Sequence, residues 1–165
     1  MRILASLIIM TILPFFVTKD ETSQPNLKPD TEYCNSRYLF CASYPNSLLP
    51  HQLVPDNNDG IILRSEDEKV VVTLAGSRGV LNRTTWDLYN DFIKEWMTDN
   101  EDGKIIYKII EKDHYKISFI DGENQYYQQL FNQGNKYVIY QIVVPKDMSN
   151  RIDQIKEHLN ISFNI

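Results

Sequence analysis

The feature that most constrains the fold is a stretch of four strand-like runs between residues 104 and 145. The runs read KIIYKIIE, YKISFI, QYYQQLF and KYVIYQIVV, and Pro145 closes the last of them. The segments that separate them are Lys112-Asp113, Asp121-Gly122 and Asn132-Gln133-Gly134. Asp-Gly between alternating runs is the strongest short-range signal for a β-hairpin. The sequence therefore predicts an antiparallel meander of four strands.

A further hairpin is predicted upstream of the meander. The apolar run 61–63 and the run KVVVTLA at 69–75 flank a short acidic turn, and the second run is rich in β-branched residues. Such composition is typical of strands. Before this hairpin, residues 47–58 contain Pro50 and Pro55 and are predicted to form a loop.

Two helices are predicted, one on each side of the meander. Thr84 followed by Asp87 resembles a capping box, and an aromatic stripe recurs at helical spacing through Trp86, Tyr89, Phe92 or Ile93, and Trp96. The stripe predicts either a core-facing surface or the wall of a ligand pocket. The second helix is expected after Asp147 as N-cap, with an apolar face formed by Met148, Ile152, Ile155 and Leu159.

The order of these elements defines the fold class. Strands and helices occur in separate blocks, which favours an α+β fold: an antiparallel β-sheet flanked by helices. The chain has 165 residues, which suits one domain with a substantial core. We assign this domain to residues 33–165.

The N-terminus is predicted to carry an export signal. Arg2 precedes an apolar run from Ile3 to Val17, which has the charged and apolar regions of a secretory signal and is shorter than the roughly 20 residues of a membrane span. No small-x-small cleavage site follows, so residues 1–18 are predicted to be a signal peptide or an uncleaved signal anchor. Residues 19–32, with two prolines among polar residues, are predicted to be a flexible leader. We therefore expect a periplasmic, cell-envelope or secreted protein.

The two cysteines, Cys34 and Cys41, are predicted to form a disulfide. They are the only cysteines in the chain, and two thiols outside the cytosol usually pair. A metal site would need ligands that the neighbouring sequence lacks, and the spacing is not the CxxC of redox motifs. On one continuous strand the two would lie about 23 Å apart, whereas bonded cysteines need Cα atoms within about 7 Å. The chain must therefore reverse between them, and Asn35-Ser36 is the predicted turn.

The sequence contains no constellation that predicts catalysis. The histidines His51, His114 and His158 are scattered, and Ser77 in the GSRG segment lacks the spacing of a nucleophile elbow. The acidic cluster 66–68 lacks the alternating ligands of a calcium loop. We predict no catalytic residue, metal or cofactor, and an enzyme is the less favoured class. The 17 basic and 22 acidic side chains, without a basic block, argue against nucleic-acid binding.

The chain resembles the PsbP/Mog-like family. The resemblance covers about residues 33–165 and rests on an aromatic strand ending in Tyr44-Pro45, the Asn58-Asp59-Gly60 segment, the Tyr126-Tyr127 strand, the strand ending in Pro145 and the last helix running into Ser162-Phe163. Within the family, YCNSRYLFC is similar to the start of a group of small exported bacterial proteins of unknown function. The resemblance implies an α/β/α sandwich around an antiparallel sheet. It also implies action by docking on a partner, because members include an extrinsic photosystem II subunit, a Ran-binding nucleotide-release factor and periplasmic proteins.

Two hypotheses of function follow. The first is an exported, non-enzymatic module that binds a protein partner, with membrane contact only through an uncleaved N-terminal anchor. Its candidate partner-binding residues are Tyr126, Tyr127, Tyr137 and Tyr140, since tyrosine is favoured at interfaces; the alternative is that these tyrosines lie beneath the helices. The second hypothesis is a small hydrolase or ligand carrier with a pocket under the Trp86/Trp96 helix.

Overall fold

The computed structural model describes residues 31–79, 83–99 and 102–163. The predicted signal at 1–18 and most of the leader at 19–32 lie outside the described residues, whereas Thr31 and Glu32 belong to the first strand. No helix within the described ranges has the length and apolarity needed to cross a membrane. The elements are β1 (Thr31–Asn35), β2 (Phe40–Tyr44), β3 (His51–Leu53), β4 (Gly60–Arg64), β5 (Val71–Arg78), α1 (Thr85–Asp99), β6 (Lys104–Ile110), β7 (His114–Asp121), β8 (Asn124–Asn132), β9 (Lys136–Pro145), α2 (Asn150–His158) and β10 (Asn160–Phe163).

The larger sheet has seven antiparallel strands in the order β3-β4-β5-β9-β8-β7-β6. The predicted meander forms β6 to β9, and the predicted upstream hairpin forms β4 and β5. The β7–β8 hairpin turns at Gly122-Glu123, one residue after the predicted Asp121-Gly122, and Gly122 has a φ of +54°, a conformation that costs glycine little. Strand β3 falls within the predicted loop, so that part of the loop prediction was wrong: this strand has three exposed residues, too few to produce a strand pattern between two prolines.

A smaller sheet of three strands has the order β1-β2-β10. Its central strand β2 pairs with β1 in a local hairpin and with β10 from the end of the described chain. Ala42, for example, lies between Tyr33 on β1 and Ile161 on β10. The sequence identified the hairpin region but did not predict a separate second sheet.

The layers follow from which side chains each face of the larger sheet buries. Helix α1 covers one face over β6 and β7, where Tyr89 packs with Tyr115, Ile117 and Phe119. Helix α2 and the smaller sheet cover the other face. Their core cluster contains Phe40, Ala42, Leu63, Val72, Leu74, Val138, Ile142, Ile152 and Ile155. The predicted α+β class is confirmed, with an added β-layer beside the second helix.

The two helices begin differently. At α1 the predicted capping box is present: the Asp87 backbone N–H donates to Thr84 Oγ1 (3.1 Å), and the Thr84 backbone N–H donates to Asp87 Oδ2 (2.9 Å). The prediction of Asp147 as N-cap was wrong. Pro145 holds an extended backbone, the chain then makes a 3-10 turn over Lys146–Met148, and α2 starts after Ser149.

Candidate functional site

The predicted disulfide between Cys34 and Cys41 is present. The two residues face each other across the β1–β2 hairpin, with Cα atoms 4.1 Å apart and an S–S distance of 2.06 Å. The turn lies slightly later than predicted, at residues 36–39. Asn35 ends β1, and its Oδ1 accepts hydrogen bonds from the backbone N–H groups of Arg37 (3.0 Å) and Tyr38 (3.1 Å). The asparagine side chain therefore fixes the turn that the disulfide closes.

The four candidate tyrosines divide between the two cores. Tyr126 and Tyr137 pack beneath α1, and the Tyr126 ring stacks on Phe119 at 4.8 Å between centroids. Tyr127 and Tyr140 belong to the other core and are only 4% and 6% exposed. Tyr127 and Tyr140 are thus buried and Tyr126 and Tyr137 partly buried, which is the placement of the alternative, and partner binding by these residues stays a prediction.

The aromatic stripe of α1 is a core surface. The ring centroid of Tyr115 lies 5.6 Å from Tyr89, and that of Phe119 lies 5.8 Å from Phe92 and 4.6 Å from Trp96. These rings occupy the space in which the second hypothesis placed a pocket. Trp86, at 54% exposure, is the exception. It lines an open cleft of about 670 Å³ at the start of the helix, beside rather than beneath it.

The three histidines lie on β3, β7 and α2, as scattered as the sequence indicated. His114 has the closest acidic neighbours: its Nδ1 is 2.9 Å from Asp113 Oδ1, and its Nε2 is 3.8 Å from Glu111 Oε2. The hydrogen bond from His114 lowers the pKa of the Asp113 carboxyl. Both carboxylates are exposed at the tip of the β6–β7 hairpin, so this group reads as a solvated turn with a hydrogen-bonded histidine.

A groove that sequence reasoning missed runs between α2 and the neighbouring face of β6, β7 and β8. It consists of two adjoining cavities of about 400 and 380 Å³. Both cavities are lined by Lys116, Tyr127 and Lys156. The Lys156 Nζ lies 4.6 Å from the centroid of the Tyr127 ring, a cation–π distance. This contact stands at the boundary between the two cavities.

The floor of the groove is a row of cross-strand neighbours. Lys116 on β7 pairs with Gln129 on β8, and Gln129 pairs with Tyr140 on β9. The Gln129 Oε1 accepts hydrogen bonds from Tyr140 Oη (3.0 Å) and Tyr127 Oη (3.3 Å). Burial raises the pKa of both phenols. Both therefore keep their protons at neutral pH and act as donors to the glutamine carbonyl.

The rim of the groove is the edge strand β6, which carries exposed apolar side chains and two exposed lysines, Lys104 and Lys108. Three of its side chains are substantially exposed: Ile106 at 50%, Tyr107 at 44% and Ile109 at 39%. A bulge between Ile105 and Tyr107 shifts the register against β7. On its outer side β6 pairs with no strand in the described chain. Its unpaired backbone groups are therefore available on that side.

The fold and groove place this chain in a structural class: an antiparallel α+β sandwich with one long open sheet edge. No family model and no curated protein matches the sequence. Among solved structures, the solution structure of cyanobacterial PsbP (CyanoP) from Synechocystis sp. PCC 6803 is similar. It is 11% identical, with a TM-score of 0.60, over 81% of this chain and 93% of that one.

A crystal structure from Bacteroides thetaiotaomicron VPI-5482 is 14% identical and has a TM-score of 0.44 over 82% of this chain and 49% of that one. The similarity to cyanobacterial PsbP shows that this chain has a PsbP-like fold. The fold that the resemblance implied is therefore confirmed.

Proposed function

We propose that this chain is an exported, non-enzymatic module that binds a protein partner in the periplasm or cell envelope. The observation that carries the proposal is the open edge of β6, seven residues long and bearing the exposed Ile106, Tyr107 and Ile109. Edge strands with exposed apolar side chains invite pairing with other chains, and proteins usually shorten, charge or cover them. Strand β6 carries two lysines, Lys104 and Lys108, but it is not short and no strand of the described chain covers its outer edge. The opposite edge of the same sheet is such a shortened strand: β3 has three residues.

The exposed β6 residues offer both of the contacts that an extended segment uses. The free backbone groups of an edge strand hydrogen-bond to an added segment, and the alternate side chains give it specificity. Tyr107 and Ile109 lie beside the groove on the face opposite α1, next to α2. An extended partner segment would contact the edge and this face together.

The proposed export from the cytosol is supported by the N-terminal sequence and by the disulfide. The apolar run from Ile3 to Val17 follows Arg2 in the manner of a signal, and disulfides persist in oxidising compartments. Fusing residues 1–32 to a reporter enzyme that is active only with its disulfides formed tests export directly. The fusion should be active, and Ile9→Glu in the apolar run should abolish the activity. An equally active Ile9→Glu fusion would contradict export by this segment.

Site-specific photo-crosslinking tests the docking surface. A benzoylphenylalanine at Ile109 should yield a discrete adduct in the cell that makes the protein. The matched control is the same probe at Met97, which is 59% exposed on α1, on the other side of the sheet. Absence of an adduct from position 109, or the same adduct from both positions, would refute docking at β6.

A further inference from the structure

We propose that the groove beside β6 binds a carboxylate side chain of an extended acidic segment of the partner, with Lys116 and Lys156 supplying the charge and Gln129 an amide donor. This inference rests on the proposed docking function and specifies the chemistry of the partner. Three observations carry it: the glutamine amide, the balance of charge in the groove, and the apolar rim.

The first observation is that Gln129 is buried yet keeps its amide NH₂ unused. The residue is only 8% exposed, and its carbonyl oxygen accepts both of its side-chain hydrogen bonds, from Tyr127 and Tyr140. Its Nε2 donates to no described residue, while every fully enclosed side-chain N or O in the described chain has a partner. The NH₂ group therefore reaches the groove, which Gln129 lines. A nearly buried donor without a partner favours a ligand that accepts a hydrogen bond.

The second observation is an excess of positive charge. Lys116 is half-buried and makes no ion pair or hydrogen bond with the described residues. Lys156 is 3.0 Å from Asp153 Oδ1, and Asp153 is the one carboxylate among the residues lining the two cavities. The groove thus holds two ammonium groups against one carboxylate in a protein of net charge −5. A second carboxylate would form charge-assisted hydrogen bonds there.

The third observation is that this donor-rich floor continues into the apolar rim. Ile109 on β6 lies directly opposite Lys116, and Tyr107 lies opposite Ser118. The exposed apolar side chains of β6 and the lysine of the floor therefore lie on neighbouring strands, about 5 Å apart. A segment in which apolar and acidic residues alternate matches this arrangement, with its apolar side chains on β6 and a carboxylate over Lys116.

Fluorescence anisotropy with two labelled peptides tests the inference on the full chain. The probe is blocked Val-Glu-Ile-Glu-Val, and its uncharged isostere is Val-Gln-Ile-Gln-Val. The acidic peptide should bind at least about tenfold more tightly than the isostere. Equal affinities, or no binding of either peptide at millimolar protein, would overturn the inference. This comparison uses the wild-type chain and does not depend on any variant folding.

Lysine variants locate the binding. Lys116→Met and Lys156→Met should each weaken binding of the acidic peptide about fivefold or more. Lys94→Met, on the exposed surface of α1, is the matched control and should leave affinity unchanged. If Lys94→Met weakens binding as much as Lys116→Met, the charge acts nonspecifically and the groove is not the site.

Photo-crosslinking at Ile109 separates this inference from the proposed function. Loss of the adduct in Lys116→Met, but not in Lys94→Met, supports both. An adduct that persists in Lys116→Met contradicts the acidic-segment inference and leaves docking at β6 standing. Absence of an adduct in the wild-type chain, together with tight binding of the acidic peptide, would refute partner docking while retaining the carboxylate site.

Discussion

The ring of Tyr38 lies directly against the backbone of Gly76. A Cβ placed on Gly76 would be 2.2 Å from Tyr38 Cγ and 2.5 Å from its Cβ. The ring is held there because Tyr38 Oη donates to Asp59 Oδ1 (3.1 Å), while the Gly76 N–H donates to the backbone carbonyl of Asp59 (2.8 Å). Thus the turn after β1 is clamped onto β5 at a position where only glycine leaves room.

Gly76→Ala should therefore destabilise the domain by about 1–3 kcal/mol, the usual cost of overpacking a core. Urea unfolding measures the loss. Gly79→Ala is the control, because the nearest atom to its added Cβ would be 3.6 Å away, and it should change stability little. If the strain comes from the tyrosine ring, Tyr38→Ala should lose less stability in the Gly76→Ala background than in the wild-type chain. Equal losses in both backgrounds would contradict this packing.

The disulfide should contribute about 2–3 kcal/mol to stability in the chain-entropy description of a short closed loop. The Cys34→Ala/Cys41→Ala variant should unfold at a correspondingly lower urea concentration. Reductant should lower the midpoint of the wild-type chain toward that of the variant and leave the variant itself unchanged. An unchanged midpoint for the wild-type chain in reductant would show that the bond does not stabilise the fold.

The capping box should make the stability of the protein depend on pH, through the carboxyl group at the start of α1. The hydrogen bond from the Thr84 side chain, followed by that from its backbone N–H, lowers the pKa of the Asp87 carboxyl. A carboxyl with a depressed folded-state pKa stabilises the fold fully above its unfolded pKa, about 3.9, and this contribution disappears as the pH falls through the folded value.

Asp87→Asn should therefore be less stable than the wild type at neutral pH, and the difference should shrink below about pH 4. Urea unfolding across pH measures this, and ¹³C-detected titration of the carboxyl measures its pKa. Asp56→Asn serves as the control, because Asp56 is an exposed loop residue that caps no helix. A difference between wild type and Asp87→Asn that stayed constant through acid would contradict the role of the carboxylate.

A buried polar pair beneath α1 gives a fourth prediction. Gln128, 3% exposed, donates through Nε2 to Tyr115 Oη at 2.7 Å, and Tyr115 is 1% exposed. Gln128→Ala should cost about 1–3 kcal/mol, because the tyrosine hydroxyl loses its partner inside the core. Adding Tyr115→Phe removes that stranded hydroxyl, so the double variant should lose less than the sum of the two single losses. Strict additivity in this double-mutant cycle would refute the coupling.

The parts of the fold that the sequence predicted are those decided locally. Two-residue turns such as Gly122-Glu123 fix hairpins between neighbouring runs, and the reciprocal bonds of Thr84 and Asp87 mark the start of α1 within four residues. The pairing of β10 with β2 joins residues about 120 positions apart. No local pattern in a four-residue strand specifies such a partner.

The candidate groove was hidden for a related reason. Alternation along β8 shows that Tyr126 and Tyr127 point to opposite faces, yet both faces of this strand are covered, so exposure could not be read from the pattern. The neighbourhood of Lys116, Gln129 and Tyr140 depends on the register of three strands. The polar residues interrupting the apolar pattern at Lys116 and Gln129 were the available signal, and only the register brings them together.

The position of β2 in the middle of the smaller sheet also sets an order of folding. The meander and the β4–β5 hairpin form from neighbouring residues, but β2 stays half-paired until residues 160–163 arrive. A chain emerging residue by residue from a ribosome or a translocation pore can complete the smaller sheet only after residues 160–163 have emerged. Until then the edge of β2 that pairs with β10 is unpaired, which leaves it open to pairing with other chains.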